Sequence, residues 1–247
     1  NELEELAALD FNMVRTGIWS AYKKIQLAPG EVDEAWLRAL EAYYLTARKH
    51  GIPVLFTFFA FAPPGFGSES PYFDPRAIEG QSAYLTAVAE RFAGCKEILW
   101  DLINEPSFAD PDQLWQCRPD DSAWEREAFR AWLKDRFGTG PDKADWEDEV
   151  RSRWRLLPGA DIGVLTDADF EDRQVMGSHH PYRAKDFIRF VQDAFVDWVE
   201  AMKAAIHAGG SKAAITVGQD EGGLYSRPRP LYHHRALVPS KLWGVEP

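Results

Sequence analysis

The chain has 247 residues, 45% of them hydrophobic, 13% aromatic and 27% charged, a composition that builds a large core and excludes disorder as the general state. A formal net charge of −11 and a pI near 5.1 argue against nucleic acid or an anionic membrane as partner, and leave a neutral substrate such as a sugar open. Cys95 and Cys117 form neither a disulfide framework nor a metal-site spacing, and no stretch is as long as a membrane-spanning helix.

In chain order, residues 2–9 read as a short helix and FNMVRTG (11–17) as a strand. A helix follows on Trp36, Leu37, Leu40, Tyr44 and Ala47, with Gly51 as its stop. IPVLFTFFAF (52–61) runs almost unbroken apolar, as a strand buried on both faces does, and APPGFGSESP after it is a loop. Tyr84, Leu85, Val88 and Phe92 line a second helix ending at Gly94, and EILWDLINE (97–105) is the next strand. This alternation predicts a parallel sheet with helices outside it. After Pro106 the rhythm breaks. Residues from about 108 to 180 form a Trp-rich, mixed-charge excursion, in which AFRAWLKDRFG reads as an exposed helix. It either runs over the active-site face or is a subdomain with no catalytic part.

The strongest apolar stripe lies at about 184–207, on Phe187, Phe190, Val191, Ala194, Phe195, Trp198, Val199 and Met202, and Gly209-Gly210 ends it. AAITVG (213–218) is the following strand and opens onto QDEGG (219–223). No repeat or linker divides the chain, so residues 1–247 read as one domain with an insertion at about 108–180. The N-terminus NELEELAALDF lacks the layout of a signal peptide, and localisation stays open.

Polar groups gather where the strands end. The first strand brings Asn12 and Arg15, the third Asn104 and Glu105, and the last Gln219, Asp220 and Glu221. The second ends instead in Phe58, Phe59 and Phe61, an aromatic wall that stacks on a sugar ring or plugs the mouth. Pro106 cannot donate to a ladder, so it ends its strand and leaves Glu105 on the C-terminal lip, where barrels and doubly wound sheets do chemistry. Glycoside cleavage needs an acid on the leaving oxygen and a second carboxylate at the anomeric centre. A partly apolar mouth near Trp100 would keep Glu105 protonated for the first role. Asn104 offers its amide to the sugar 2-hydroxyl, and Arg15 aligns an ionised partner carboxylate. Each of these residues reads alternatively as a rim salt bridge or a loop cap. His179-His180 and His233-His234 are adjacent pairs whose members point apart, so no metal site is expected, and no cofactor-binding loop is present.

Residues 11–105 resemble the clan of retaining glycoside hydrolases built on (β/α)8 barrels. FNMVR is similar to the second barrel strand of glycoside hydrolase family 5, the cellulase and mannanase family. WDLINEP is similar to its fourth strand, whose Glu is the acid/base, and ITVGQDEGG to its fifth. FRAWLKDRFG is similar to a stretch of family 42 β-galactosidases. The resemblance implies an α/β fold of the (β/α)8 type, present as strands two to five with a long insertion after the fourth. It also implies hydrolysis of β-glycosidic bonds by double displacement, with Glu105 as acid/base and carbohydrate as the partner. Two departures stand out: LFTFFAF carries no His near its end, and the count stops before the seventh strand, which bears the family's nucleophile. The expectation is therefore the middle of a barrel, with the nucleophile outside this sequence. Gln219 and Glu221 then read as substrate contacts, Glu221 being alternatively the second carboxylate. A non-catalytic carbohydrate-binding or structural barrel module is the competing expectation.

Overall fold

The computed structural model describes residues 2–18, 21–106, 120, 122–162 and 181–218. The elements are α1 (Glu2–Ala8), β1 (Val14–Thr16), α2 (Ala21–Ile25), β2 (Gln26–Ala28), β3 (Glu31–Val32), α3 (Glu34–Lys49) and β4 (Val54–Ala60). They continue with α4 (Pro75–Arg91), β5 (Ile98–Asn104), α5 (Ala123–Phe137), α6 (Trp146–Trp154), α7 (Pro181–Ala208) and β6 (Ile215–Gly218). β1, β4, β5 and β6 form one sheet in chain order with every pair parallel, and β2 and β3 form a small antiparallel hairpin. Parallel neighbours need a crossover, and α3, α4 and α7 supply it. The architecture is α/β of the (β/α)8 type, with four parallel strands among the described residues against the eight of a closed barrel.

Chain contacts divide the protein into two compact units. One holds α1 to β5, α7 from Val196 onward and β6. Its centre is aromatic because β4 and β5 are almost wholly apolar: Phe56, Phe58, Phe59, Tyr84, Phe92 and Trp100 are all buried. The rings meet mostly edge to face, Phe56 on Phe58 at 5.2 Å and Phe58 on Tyr84 at 5.8 Å between centroids. Trp36 departs from its expected core position. It is 45% exposed, with Lys24 Nζ lying 4.5 Å from its ring centroid.

The other unit holds α5, α6 and α7 up to Phe195. α5 is not the exposed helix its charges suggest, because Phe129 and Leu133 are buried in this unit. Phe129 packs on Phe190 at 5.1 Å and stacks on Trp154 at 6.2 Å. Buried Asp186 takes two 2.6 Å bonds from Arg153 and one of 2.9 Å from Trp154 Nε1, so its charge is paired and both its oxygens are bonded.

α4 begins as its sequence directs. Asp74 is the N-cap, Pro75 occupies the first turn, and the Asp74 carboxylate accepts from Arg76 N at 2.9 Å and Arg76 Nη2 at 2.7 Å. Arg76, lying over this enclosed carboxylate, holds it down at about 2. Asp74→Ala should remove about 0.5–2 kcal/mol, the usual worth of such a cap. Since the folded carboxylate titrates below its ordinary 3.8, the contribution is complete above that pH and is lost as pH falls through about 2. Thermal melts of the two proteins should therefore differ at neutral pH and converge between roughly pH 4 and 2.

Candidate active site

The strand ends place the candidate residues. β5 finishes at Asn104, whose side chain is buried and whose carbonyl accepts from Phe61 N at 2.8 Å. Glu105 follows with φ +49, in the left-handed region, and its N–H donates to Gly218 O at 2.6 Å. Phe61, just past β4, is left-handed as well at φ +63. A non-glycine residue in this region costs about 1–3 kcal/mol and persists where its surroundings over-determine it, typically at working sites. Two adjacent strands thus leave the sheet through strained residues, and one of these is the candidate acid.

Further into the sheet, register builds a polar cluster. Arg15 pairs with Leu55 and Thr57 with Asp101, which puts Arg15, Thr57 and Asp101 on one face. Asp101 is almost fully buried. Its Oδ2 accepts from Thr57 Oγ1 at 2.7 Å and from Arg15 Nη2, and its Oδ1 accepts from Gly218 N at 2.8 Å. Arg15 Nε also donates to Thr57 Oγ1 at 3.1 Å. Burial pushes the Asp101 carboxyl above its ordinary range, against the downward pull of Thr57 and Arg15. At Gly218 a Cβ would meet Arg15 Nη2 at 2.6 Å and Asp101 Oδ2 at 3.2 Å, so a side chain there would push the Arg15 guanidinium aside. Beside the end of β1 a cavity of about 540 Å³ opens, lined by Arg15, Gly17, Lys24, Trp36, Leu40 and Tyr43 among others. The Arg15 side chain is 32% exposed.

The other candidates fall differently. Trp100 is not beside an open mouth. It lies on the sheet face opposite Asp101, packs on Phe58 and Phe92, and donates Nε1–H to Ser211 Oγ at 2.8 Å. Phe59 is fully enclosed by Tyr22, Tyr84 and Trp198, which leaves no ring face for a sugar. Both rings serve the core, because the apolar runs that carry them are buried between sheet and helices. Asn12 is exposed and precedes β1, which starts only at Val14, so it sits before the strand rather than at its C-terminal end. Gln219, Asp220, Glu221 and both His pairs lie outside the described residues. The sequence pattern does not single out Asp101, Thr57 or Gly218. The available signal was a single carboxylate in the middle of an otherwise apolar strand. Among the described residues no group of three or more His, Cys, Asp or Glu has the arrangement of a metal site, and no helix is long and apolar enough to cross a membrane.

No family model and no curated protein matches the sequence. Solved structures do. A catalytic mutant of Gan42B, a GH42 β-galactosidase from G. stearothermophilus, aligns with 87% of this chain at 17% identity and a TM-score of 0.61. A polyextremophilic β-galactosidase from the Antarctic haloarchaeon Halorubrum lacusprofundi aligns with 87% of the chain at 19% identity and a TM-score of 0.60. A mutant of GH5_18 from Streptomyces cattleya, in complex with Manb1-4GlcNAc, aligns over 93% at 16% identity with a TM-score of 0.48. With the first two, what is shared is the fold: the chain has the fold of part of a (β/α)8 barrel. It spans 32%, 33% and 41% of the lengths of these three proteins respectively. In that fold the C-terminal ends of the strands form the catalytic face, and Asn104 and Glu105 stand there.

Proposed function

We propose that this chain carries the acid/base half of a β-glycosidase site and that Glu105 works first as general acid, then as general base, in a retaining double displacement. One observation carries the reading: a carboxylate on a left-handed residue at the exit of a buried parallel strand, directly after the buried amide of Asn104. In the first step Glu105 gives its proton to the glycosidic oxygen as that C–O bond breaks, and a second carboxylate bonds to the anomeric carbon. In the second step Glu105 takes a proton from water, whose oxygen attacks the anomeric carbon and displaces that carboxylate. Asn104 donates to the sugar 2-hydroxyl, and Arg15, held in place by Asp101, orients the second carboxylate. Gln219 and Glu221, next after β6, are substrate contacts in this scheme, and the nucleophile comes from outside this sequence. Trp100 and Phe59 act as supports beneath the site.

A β-linked neutral hexoside is the substrate class. It suits the acidic chain, and two of the matched structures are named as β-galactosidases. The test is the stereochemistry of the product. The intact protein, given aryl β-galactoside, β-mannoside and β-glucoside, should release the β-anomer first in a proton NMR time course. First release of the α-anomer overturns the retaining mechanism. Oligosaccharide binding by calorimetry without any turnover makes the protein a non-catalytic carbohydrate-binding barrel instead.

A further inference from the structure

Asp101 has no part in the chemistry outlined above, yet it touches both flanks of the site. One oxygen receives Thr57 and Arg15, so the Arg15 guanidinium is gripped by Nη2 on Asp101 and by Nε on Thr57. The other oxygen receives the Gly218 N–H at 2.8 Å. On the far side of that glycine, Gly218 O accepts the N–H of Glu105 at 2.6 Å. A continuous line of hydrogen bonds therefore runs Arg15, Asp101, Gly218, Glu105, and crosses β1, β5 and β6. The missing Cβ of Gly218 is what lets Arg15 and Asp101 come so close. A carboxylate this deeply buried holds its donors more firmly than an exposed one, because its oxygens are closed off from water.

We propose that Asp101 is a positioning residue: one buried carboxylate fixes the Arg15 guanidinium on one flank and, through the N–H and C=O on either side of the Gly218 Cα, the backbone of Glu105 on the other. The proposal rests on the reading of Glu105 as acid/base. It makes the placement of the acid and of the arginine a single linked property rather than two separate ones.

The test uses Asp101→Asn, Arg15→Lys and Thr57→Val in the intact protein, with two readouts. The first is kinetic. Asp101→Asn should lower kcat on an aryl β-glycoside about 10–100-fold, as small misplacements of reacting groups do, with KM changed less than about threefold. Adding Arg15→Lys to it should lower kcat little further, since both act through one contact. Wild-type kcat in Asp101→Asn, or fully additive losses in the double variant, overturns the proposal. The second readout needs no activity. Residue-resolved amide exchange in Asp101→Asn should quicken about tenfold at Gly218 and Glu105, while Trp100, whose N–H donates to Ala214 O in the same strand pair, stays protected. Equal quickening at Trp100 would mean a merely structural role and overturns the proposal, as does no change at Gly218 and Glu105. Thr57→Val keeps the test open if Asp101→Asn fails to fold. It should reduce kcat by loosening Arg15 while leaving exchange at Gly218 and Glu105 unchanged, and quickening there refutes the layout. If the wild-type protein hydrolyses no glycoside and the exchange pattern still holds, the reading of Glu105 falls and the linkage through Asp101 stands.

Discussion

Glu105→Gln in the intact protein is expected to lower kcat/KM for a natural β-glycan by about 10²–10⁴-fold, the range that general acid catalysis supplies. The loss should depend on the leaving group. A sugar alkoxide cannot depart without a proton, whereas a dinitrophenolate needs none, so the first step on an activated aryl glycoside should survive. The second step still requires a base, and the covalent intermediate should accumulate, visible as a burst of phenol followed by slow turnover. Undiminished activity on the natural glycan would remove Glu105 from the mechanism. The left-handed backbone at this residue would then need another explanation.

Trp100→Ala carries the second large effect. The ring is completely buried among Phe56, Phe58 and Phe92 and is tied by Nε1 to Ser211. Removing an aromatic ring of this size from a core costs about 3–5 kcal/mol. That is a large share of the roughly 5–15 kcal/mol that holds a domain folded, so a fall in Tm of about 10 °C or more, or poor recovery of folded protein, is expected. Trp100→Phe separates the core role from a sugar-binding one. It keeps most of the packing and loses the bond to Ser211, so Tm should fall by a few degrees with KM unchanged. An unchanged Tm with KM raised tenfold would return Trp100 to the substrate.

Much of this was legible in the residues, for identifiable reasons. β4 and β5 announce themselves as apolar runs bounded by Gly51 and Pro106, and α7 by a stripe that stays in phase from Phe187 to Met202. Asn104 and Glu105 were legible because a proline stops the strand right after them. β1 was read as seven residues and has three, because Phe11 and Met13 are exposed rather than paired. The β2–β3 hairpin leaves no signature in the sequence, since strands of three and two residues are too short to show a period. The Asp101 cluster was hidden for a different reason. Its bonds join residues 86 and 44 positions apart, and they exist only once the register of three strands is set. Register also decided Trp100. It sits one residue from Asp101, and a pleated strand sends neighbours to opposite faces, so only the observed pairing tells which of the two faces the site.

The most direct test of the central claim is a crystal structure of the intact protein, read for the distance from the Glu105 carboxyl to the nearest carboxyl on the same rim. A retaining glycosidase with Glu105 as its acid/base requires a partner at about 5–5.5 Å, aligned by Arg15, and that is the expected result. A partner at about 6.5–9.5 Å would indicate an inverting enzyme. With no carboxylate within that reach, Glu105 would not be the acid of a glycosidase at all.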